Sequence, residues 1–399
     1  MILATNGMKR IAFCAGALLV AAATAAAAQA PPLEWARLAE RIVERMALQP
    51  GERVLLVGQP ETFAPLVRAL RERIARTGAV DLGVLRASGD PMPGEPGTPF
   101  VAAAAGRNRA GLAELFREVD VAIMLPLANG PAYDAMQDVL RTGRGRTVHF
   151  HWFGAHNLSS QSIPDAPGMH AVHQRAVLET DYATLRADQQ AFESAARVAE
   201  VRVTTSAGTN LRFRIGDRPV TLQDGDASAA RVRRTRNLID REIELPPGAV
   251  RVAPLEATVS GTIALPASTW NGQPVRDLVL RFAEGRVVEV RAAEGAQHVE
   301  AELRAGGAGA YVFREFALGM NPLLAIPADR SWIPYYGYGA GVVRLSLGDN
   351  TELGGATGGG YVRWNFFPDA TVRIGDDVWV ADGRLAARRA AGANPRGGS

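Results

Sequence analysis

Asp120-Val-Ala-Ile-Met-Leu-Pro-Leu127, closed by Asn129-Gly130-Pro131, is a continuous apolar run ended by turn formers. A strand with one face in water alternates apolar and polar residues; an unbroken run predicts a strand covered on both faces, as in a parallel sheet between helices. The same texture recurs on either side, in RVLLVG (53–58), residues 80–85 and TVHFHWF (147–153). Segments 33–48, 61–77, 110–117 and 132–141 place apolar residues at helical spacing, the first stopping before Pro50-Gly51 and the second at Gly78. Strand–helix alternation predicts an α/β domain with a parallel sheet over residues 31–190.

A long polar helix expected over 175–198 leads into a different texture. From residue 200 the chain is built of short alternating runs such as LRFRIG (211–216), YVFREFAL (311–318), GVVRLSL (341–347) and YVRWNFF (361–367), with a closing hairpin. The expectation is a β-rich α+β domain over 191–385, followed by a disordered tail over 386–399.

The chain has 399 residues, 47% hydrophobic and 21% charged, and a formal net charge of +3. Lys9 is its only lysine, which excludes Schiff-base chemistry. No stripe of basic and aromatic residues suits nucleic acid. Met8-Lys9-Arg10, an apolar stretch and Ala28-Gln29-Ala30 have the layout of an export signal over residues 1–30, cut after Ala28 or Ala30; the other reading is an uncleaved anchor. The single cysteine, Cys14, lies inside that segment, so a processed chain has no thiol and no disulfide. A periplasmic or secreted protein without a membrane span follows.

Six stretches in order carry a resemblance. They are VTTSAGTNLRFRIGDRP (203–219), LPPGAVRVAPLEATVSGTI (245–263), LRFAEGRVVEVRA (280–292), FREFALGMNP (313–322), GVVRLSLGDN (341–350) and YVRWNFF (361–367). Over residues 200–367 the chain resembles the M29 family of aminopeptidases. The resemblance implies an α/β half followed by a β-rich catalytic-type half, a homodimer, and two divalent metals such as zinc or cobalt, bound by two Glu, two His and one Asp.

Carried over residue by residue, those five positions read Ala249, Glu315, Arg344, Arg363 and Asn365. A methyl group coordinates nothing, and a guanidinium has five donors and no lone pair to give. The family's tyrosine falls on Thr351. The resemblance therefore implies the fold, while these residues predict that no metal cofactor is bound. Glu315 is the remaining candidate for catalysis. Arg344, Arg363 and Asn365, with Tyr336 and Tyr338 from PYYGYG (334–339), are candidates for holding a small anionic or peptide ligand bidentately. The other reading of the same residues is a self-paired site in which the arginines meet Glu315 and other acids. A further alternative is an active periplasmic aminopeptidase or other metallohydrolase whose metals are held differently, by Glu256, Glu315, Glu352 or the histidines.

Five of the six histidines lie between 149 and 173. His149 and His151 share one face of a strand, with His156, His170 and His173 following. A metal site and a packing loop are both open readings. GGATGGG (354–360) lacks the Lys-Ser/Thr and the helix that a phosphate cradle needs, so it reads as a rim loop. The expected function is an exported M29-like pseudoenzyme or binding protein.

Overall fold

The computed structural model describes residues 32–59, 63–152, 155–164, 166, 168–326 and 332–386. The leader expected over 1–30 and all but the first residue of the expected tail lie outside them. No helix of the described residues is long and apolar enough to cross a membrane.

The α/β class expected from the sequence is the observed one. Strands Val80–Arg86, Arg53–Gly58, Val121–Met124, Arg146–Phe150 and Glu242–Leu245 form, in that order, a wholly parallel sheet. Its central strands are buried on both faces. Trp35–Met46 and Ala64–Arg76 pack one face through Leu38, Ile42, Leu66 and Ile74, while Leu112, Phe116, Ala132 and Met136 cover the other. The fifth strand, Glu242–Leu245, comes from the β-rich half and pairs residue for residue with Thr147–Phe150.

The helix expected over 175–198 is two helices, Met169–Glu179 and Tyr182–Val198. Thr180 leaves the helical region at ψ 130°, and the Asp181 carboxylate accepts from the Ala183 and Thr184 amides. The capping carboxylate starts a new helix there.

Beyond Glu200 two antiparallel sheets face each other. One has eight strands, among them Val201–Thr204, Asn210–Phe213, Ser260–Trp270 and Gln273–Ala283. The other has five, in the order Val362–Phe367, Val343–Gly348, Phe313–Gly319, Ala249–Val252 and Val220–Leu222. Val250, Val252, Phe316, Leu318, Val343, Leu345, Leu347 and Phe367 of the smaller sheet bury themselves between the two. Alternation then sends Arg251, Glu315, Ala317, Arg344, Ser346, Trp364 and Phe366 to its other face, where cross-strand register sets Arg251 beside Ala317, Ala317 beside Arg344, Ser346 beside Glu315 and Trp364, and Arg344 beside Phe366.

A tyrosine-bearing segment, Trp332–Tyr338, lies on that face. It can approach because Gly319 and Gly339 have no side chains: a Cβ at Gly319 would stand 2.1 Å from Gly339 O, and one at Gly339 would stand 1.9 Å from Leu324 O. The Asn321 amide donates to Tyr338 O at 3.1 Å. Tyr335 and Tyr336 both hold positive φ, 40° and 49°, a conformation that costs a non-glycine residue about 1–2 kcal/mol and persists only where packing imposes it.

Candidate functional site

Glu315 is fully buried and sits among three guanidinium groups. Arg251 Nε donates to its Oε1 at 2.5 Å and Arg344 Nη2 to the same oxygen at 2.8 Å; Arg314 Nη1 donates to Oε2. Arg314 reaches the same side because a bulge between Phe313 and Glu315 disturbs the strand's alternation. Glu352 accepts from Arg251 at 3.2 Å and also from Arg314, and Glu244 lies 3.7 Å from Arg251. Three buried arginines thus face three carboxylates. Burial by itself pushes the Glu315 carboxyl up, but the charges of Arg251, Arg344 and Arg314 outweigh it and hold the group well below the usual range. Burial raises Glu244, against Arg251 and a hydrogen bond from Tyr338.

The sequence expectation of one centre shared by Arg344, Arg363 and Asn365 is corrected here. Arg344 pairs in register with Phe366, whereas Asn365 pairs with Leu345 and Arg363 with Leu347. Side chains one residue apart on a strand leave opposite faces, so Arg363 and Asn365 point toward the intersheet core. Arg363 donates to Glu302 Oε1 and Thr269 O, both at 2.8 Å, and its guanidinium lies 3.4 Å from the Trp270 ring centroid. Asn365 donates to Leu345 O at 3.2 Å. The two positions of this strand that share the face of Glu315 are Trp364 and Phe366. The arginines missed by motif transfer are Arg251 and Arg314. Their adjacency to Ala249 and Glu315 in sequence was visible, but not the bulge that turns Arg314 inward.

Tyr336 does reach the site. Its carbonyl accepts from Arg344 Nη1 at 3.0 Å, and its ring meets Trp364 at 5.0 Å between centroids. Tyr338 is buried, with the Arg344 guanidinium 5.8 Å from its ring centre. Buried atoms without a partner collect here: Arg344 Nε, Ser346 Oγ and Trp364 Nε1 on the sheet, and His156 Nδ1 beside Trp364 and Phe366. Trp364 also borders an open cavity of about 360 Å³ with Ser160, Gln161, Thr269, Glu302 and Arg363.

The donor set does not fit two divalent metals. Glu315 offers its oxygens to arginines, Ala249 has no donor atom, and Arg251, Arg314 and Arg344 would repel a dication at close range. Glu256 is paired with Arg218, and Glu352 with Arg251 and Arg314. Among the described residues no group of three or more His, Cys, Asp or Glu is placed to hold a metal ion. The histidines disperse. His149 and His151 do meet, His149 Nδ1 standing 3.3 Å from His151 Nε2, but His149 Nε2 lies 2.8 Å from Glu242 Oε1, within ion-pair range though off a hydrogen-bond axis. His173 bonds Trp152 O at 2.6 Å, His170 bonds Trp152 Nε1, and His156 packs on Phe366 at 4.7 Å.

A parallel α/β sheet beside paired antiparallel sheets, with a buried charged cluster on the outer face of the smaller one, defines the class. Residues 179–326 match the thermophilic metalloprotease (M29) family. No curated protein matches the sequence. Two similar solved structures are a 2,5-dihydroxypyridine dioxygenase from Pseudomonas putida KT2440 and wild-type AmpT from Thermus thermophilus. The first is 16% identical with TM-score 0.58, covering 90% of this chain and 99% of that one. The second is 19% identical with TM-score 0.56, covering 88% of this chain and 99% of that one. At these identities the likeness speaks for the fold.

Proposed function

We propose that the protein is a metal-independent member of the M29 family, a pseudoenzyme that binds a small anionic or peptide ligand. The observation that carries this reading is the enclosure of Glu315 by Arg251, Arg314 and Arg344. A carboxylate enclosed by three guanidinium groups has its lone pairs engaged, and the same three positive charges repel a dication. The charges are matched in number, so the ligand is not needed to neutralise them. What supports binding is the set of unpartnered buried donors, Arg344 Nε, Ser346 Oγ and Trp364 Nε1, which suit the oxygens of a carboxylate or peptide group. We also propose export through residues 1–30 and a periplasmic homodimer.

The test is the metal content of protein dialysed against zinc, cobalt and manganese, with hydrolysis of amino-acid nitroanilides assayed beside it. We expect less than about one ion in ten chains and no hydrolysis. Stoichiometric metal whose chelation removes activity would sink the reading. Acetate, phosphate and a dipeptide are then titrated by thermal shift, a rise following RT ln(1 + [L]/Kd) being the expected sign of binding.

A further inference from the structure

A second cavity, of about 100 Å³, opens where the central strands of the parallel sheet end. Its walls are the loop after Val121–Met124, the start of Pro131–Arg141, and the residues that follow Val148. We propose that this cavity binds a small, uncharged, planar molecule carrying a carbonyl-type acceptor, with the His151 ring as its hydrogen-bond donor. The site is distinct from the Glu315 cluster, sharing only Tyr336 with the candidates there, and the proposal stands whether or not that cluster is inert.

The argument begins with position. In open parallel sheets ligands bind in the crevice outside the carboxyl ends of the strands, where loops diverge and strand ends present side chains. Here the crevice is lined by apolar Leu125, Pro126 and Ala128, by the aromatic rings of Trp152 and Tyr336, and by His149 and His151. Asn129 and Tyr133 complete the lining, so polar groups able to fix an orientation stand beside apolar and aromatic walls.

The polar groups form an ordered chain. Glu242 accepts from Tyr133 at 3.0 Å and from Gln137 at 2.9 Å, and faces His149 at 2.8 Å. Burial by itself works against a charge on His149, but the Glu242 carboxylate outweighs it and raises the imidazole above its ordinary value, while Glu242 is drawn down to about 2. Glu244, in register beside His149, adds to the same direction. With His149 Nε2 held 2.8 Å from the Glu242 carboxylate and both ring nitrogens protonated, Nδ1 donates to His151 Nε2 across 3.3 Å. Burial and the His149 charge push His151 down to about 3, with His173 adding to the effect and Glu242 opposing it. His151 is therefore neutral, its Nε2 is the acceptor, and its one hydrogen sits on Nδ1. Among the described residues Nδ1 has no hydrogen-bond partner.

That geometry selects the ligand. The His149–Glu242 pair neutralises itself, so the cavity holds no unbalanced charge to attract an ion. The free donor asks for an acceptor oxygen or nitrogen, and the flanking Trp152, Tyr336 and Pro126 suit a flat ring.

Benzamide is the probe, with benzoate and benzylamine as charged counterparts. Uniformly ¹⁵N-labelled protein is titrated and the histidine side-chain resonances are followed. The expected result is a dissociation constant on the order of 1 mM for benzamide, with the His151 Nδ1 signal moving and the His298 signal still. Benzoate and benzylamine are expected to bind at least about tenfold more weakly, because each surrenders hydration to an uncharged pocket. His151→Phe is expected to lose benzamide binding by at least about tenfold and His151→Gln, which keeps a donor, to recover part of it. No movement of His151 Nδ1 in the wild-type protein, or equal benzamide affinity in a folded His151→Phe variant, overturns the proposal. Tighter binding of benzoate than of benzamide overturns the uncharged class. Because the wild-type titration decides on its own, a variant that fails to fold leaves the test intact.

Discussion

Arg251 Nε donates to Glu315 Oε1 across 2.5 Å, from one strand of the smaller antiparallel sheet to its neighbour, with both side chains fully enclosed. Glu315 is itself a position that the family resemblance assigns to metal binding, and Arg251 stands two residues from another, Ala249. Together with Arg314 and Arg344 they form a buried cluster in which guanidinium groups enclose the carboxylate.

Removing the acid exposes what the arginines cost. Glu315→Gln keeps the shape and leaves Arg251, Arg314 and Arg344 with only Glu352 and Glu244 nearby. A buried charge that loses its partner destabilises by about 3–5 kcal/mol. Urea unfolding at pH 7 measures this, and a loss under about 1 kcal/mol would show that the cluster is not structural.

Opposite faces of one sheet imply independence. Arg344→Ala removes a guanidinium from Glu315, while Arg363→Ala removes hydrogen bonds to Glu302 and Thr269 and a contact with Trp270, about 2 kcal/mol. The double variant is expected to equal the sum of the singles within about 0.5 kcal/mol. Coupling above about 1 kcal/mol in the double-mutant cycle would return the two arginines to one centre.

Acid unfolding is expected to come early and from histidines. His151 is pushed to about 3, and His156 and His173 to about 4, in each case first by burial. Their folded values are depressed, so the stability they contribute is present above about pH 6.5 and lost as pH falls toward those values. While the unfolded chain takes up three protons that the folded one refuses, stability drops by about 4 kcal/mol per pH unit. His149 has the opposite sign: its folded value is raised, so its contribution is full below about 6.5 and lost as pH rises. Maximum stability therefore lies near pH 6.5. His156→Phe should lower the acid slope by about one third; an unchanged slope in equilibrium unfolding from pH 6.5 to 4.5 would contradict this.

Export makes a mass prediction. If residues 1–30 are a cleaved leader, the periplasmic form begins at Gln29 or Pro31. Intact-mass analysis of that fraction reads the cut directly, and a membrane-bound species still carrying Met8 would mean an anchor. Light scattering on the same sample tests the homodimer.

The parallel sheet was legible because its strands are continuous apolar runs, and burial on both faces leaves that mark on composition whatever the rest of the chain does. The chemistry of the carried-over positions was equally plain, since alanine and arginine offer a metal no lone pair whatever surrounds them. Facing was not. Whether Arg344 meets Arg363 depends on which residues of Val343–Gly348 and Val362–Phe367 stand opposite one another, and a shift of one residue reverses every side chain. That register is decided by burying Leu345, Leu347 and Phe367 between the sheets, an energy no local pattern contains. The same holds for Arg314, turned inward by a bulge, and for Glu242, which finds His149 only because a strand from the far half of the chain adds to the parallel sheet. Residue chemistry belongs to the sequence; which groups share a site follows from long-range packing.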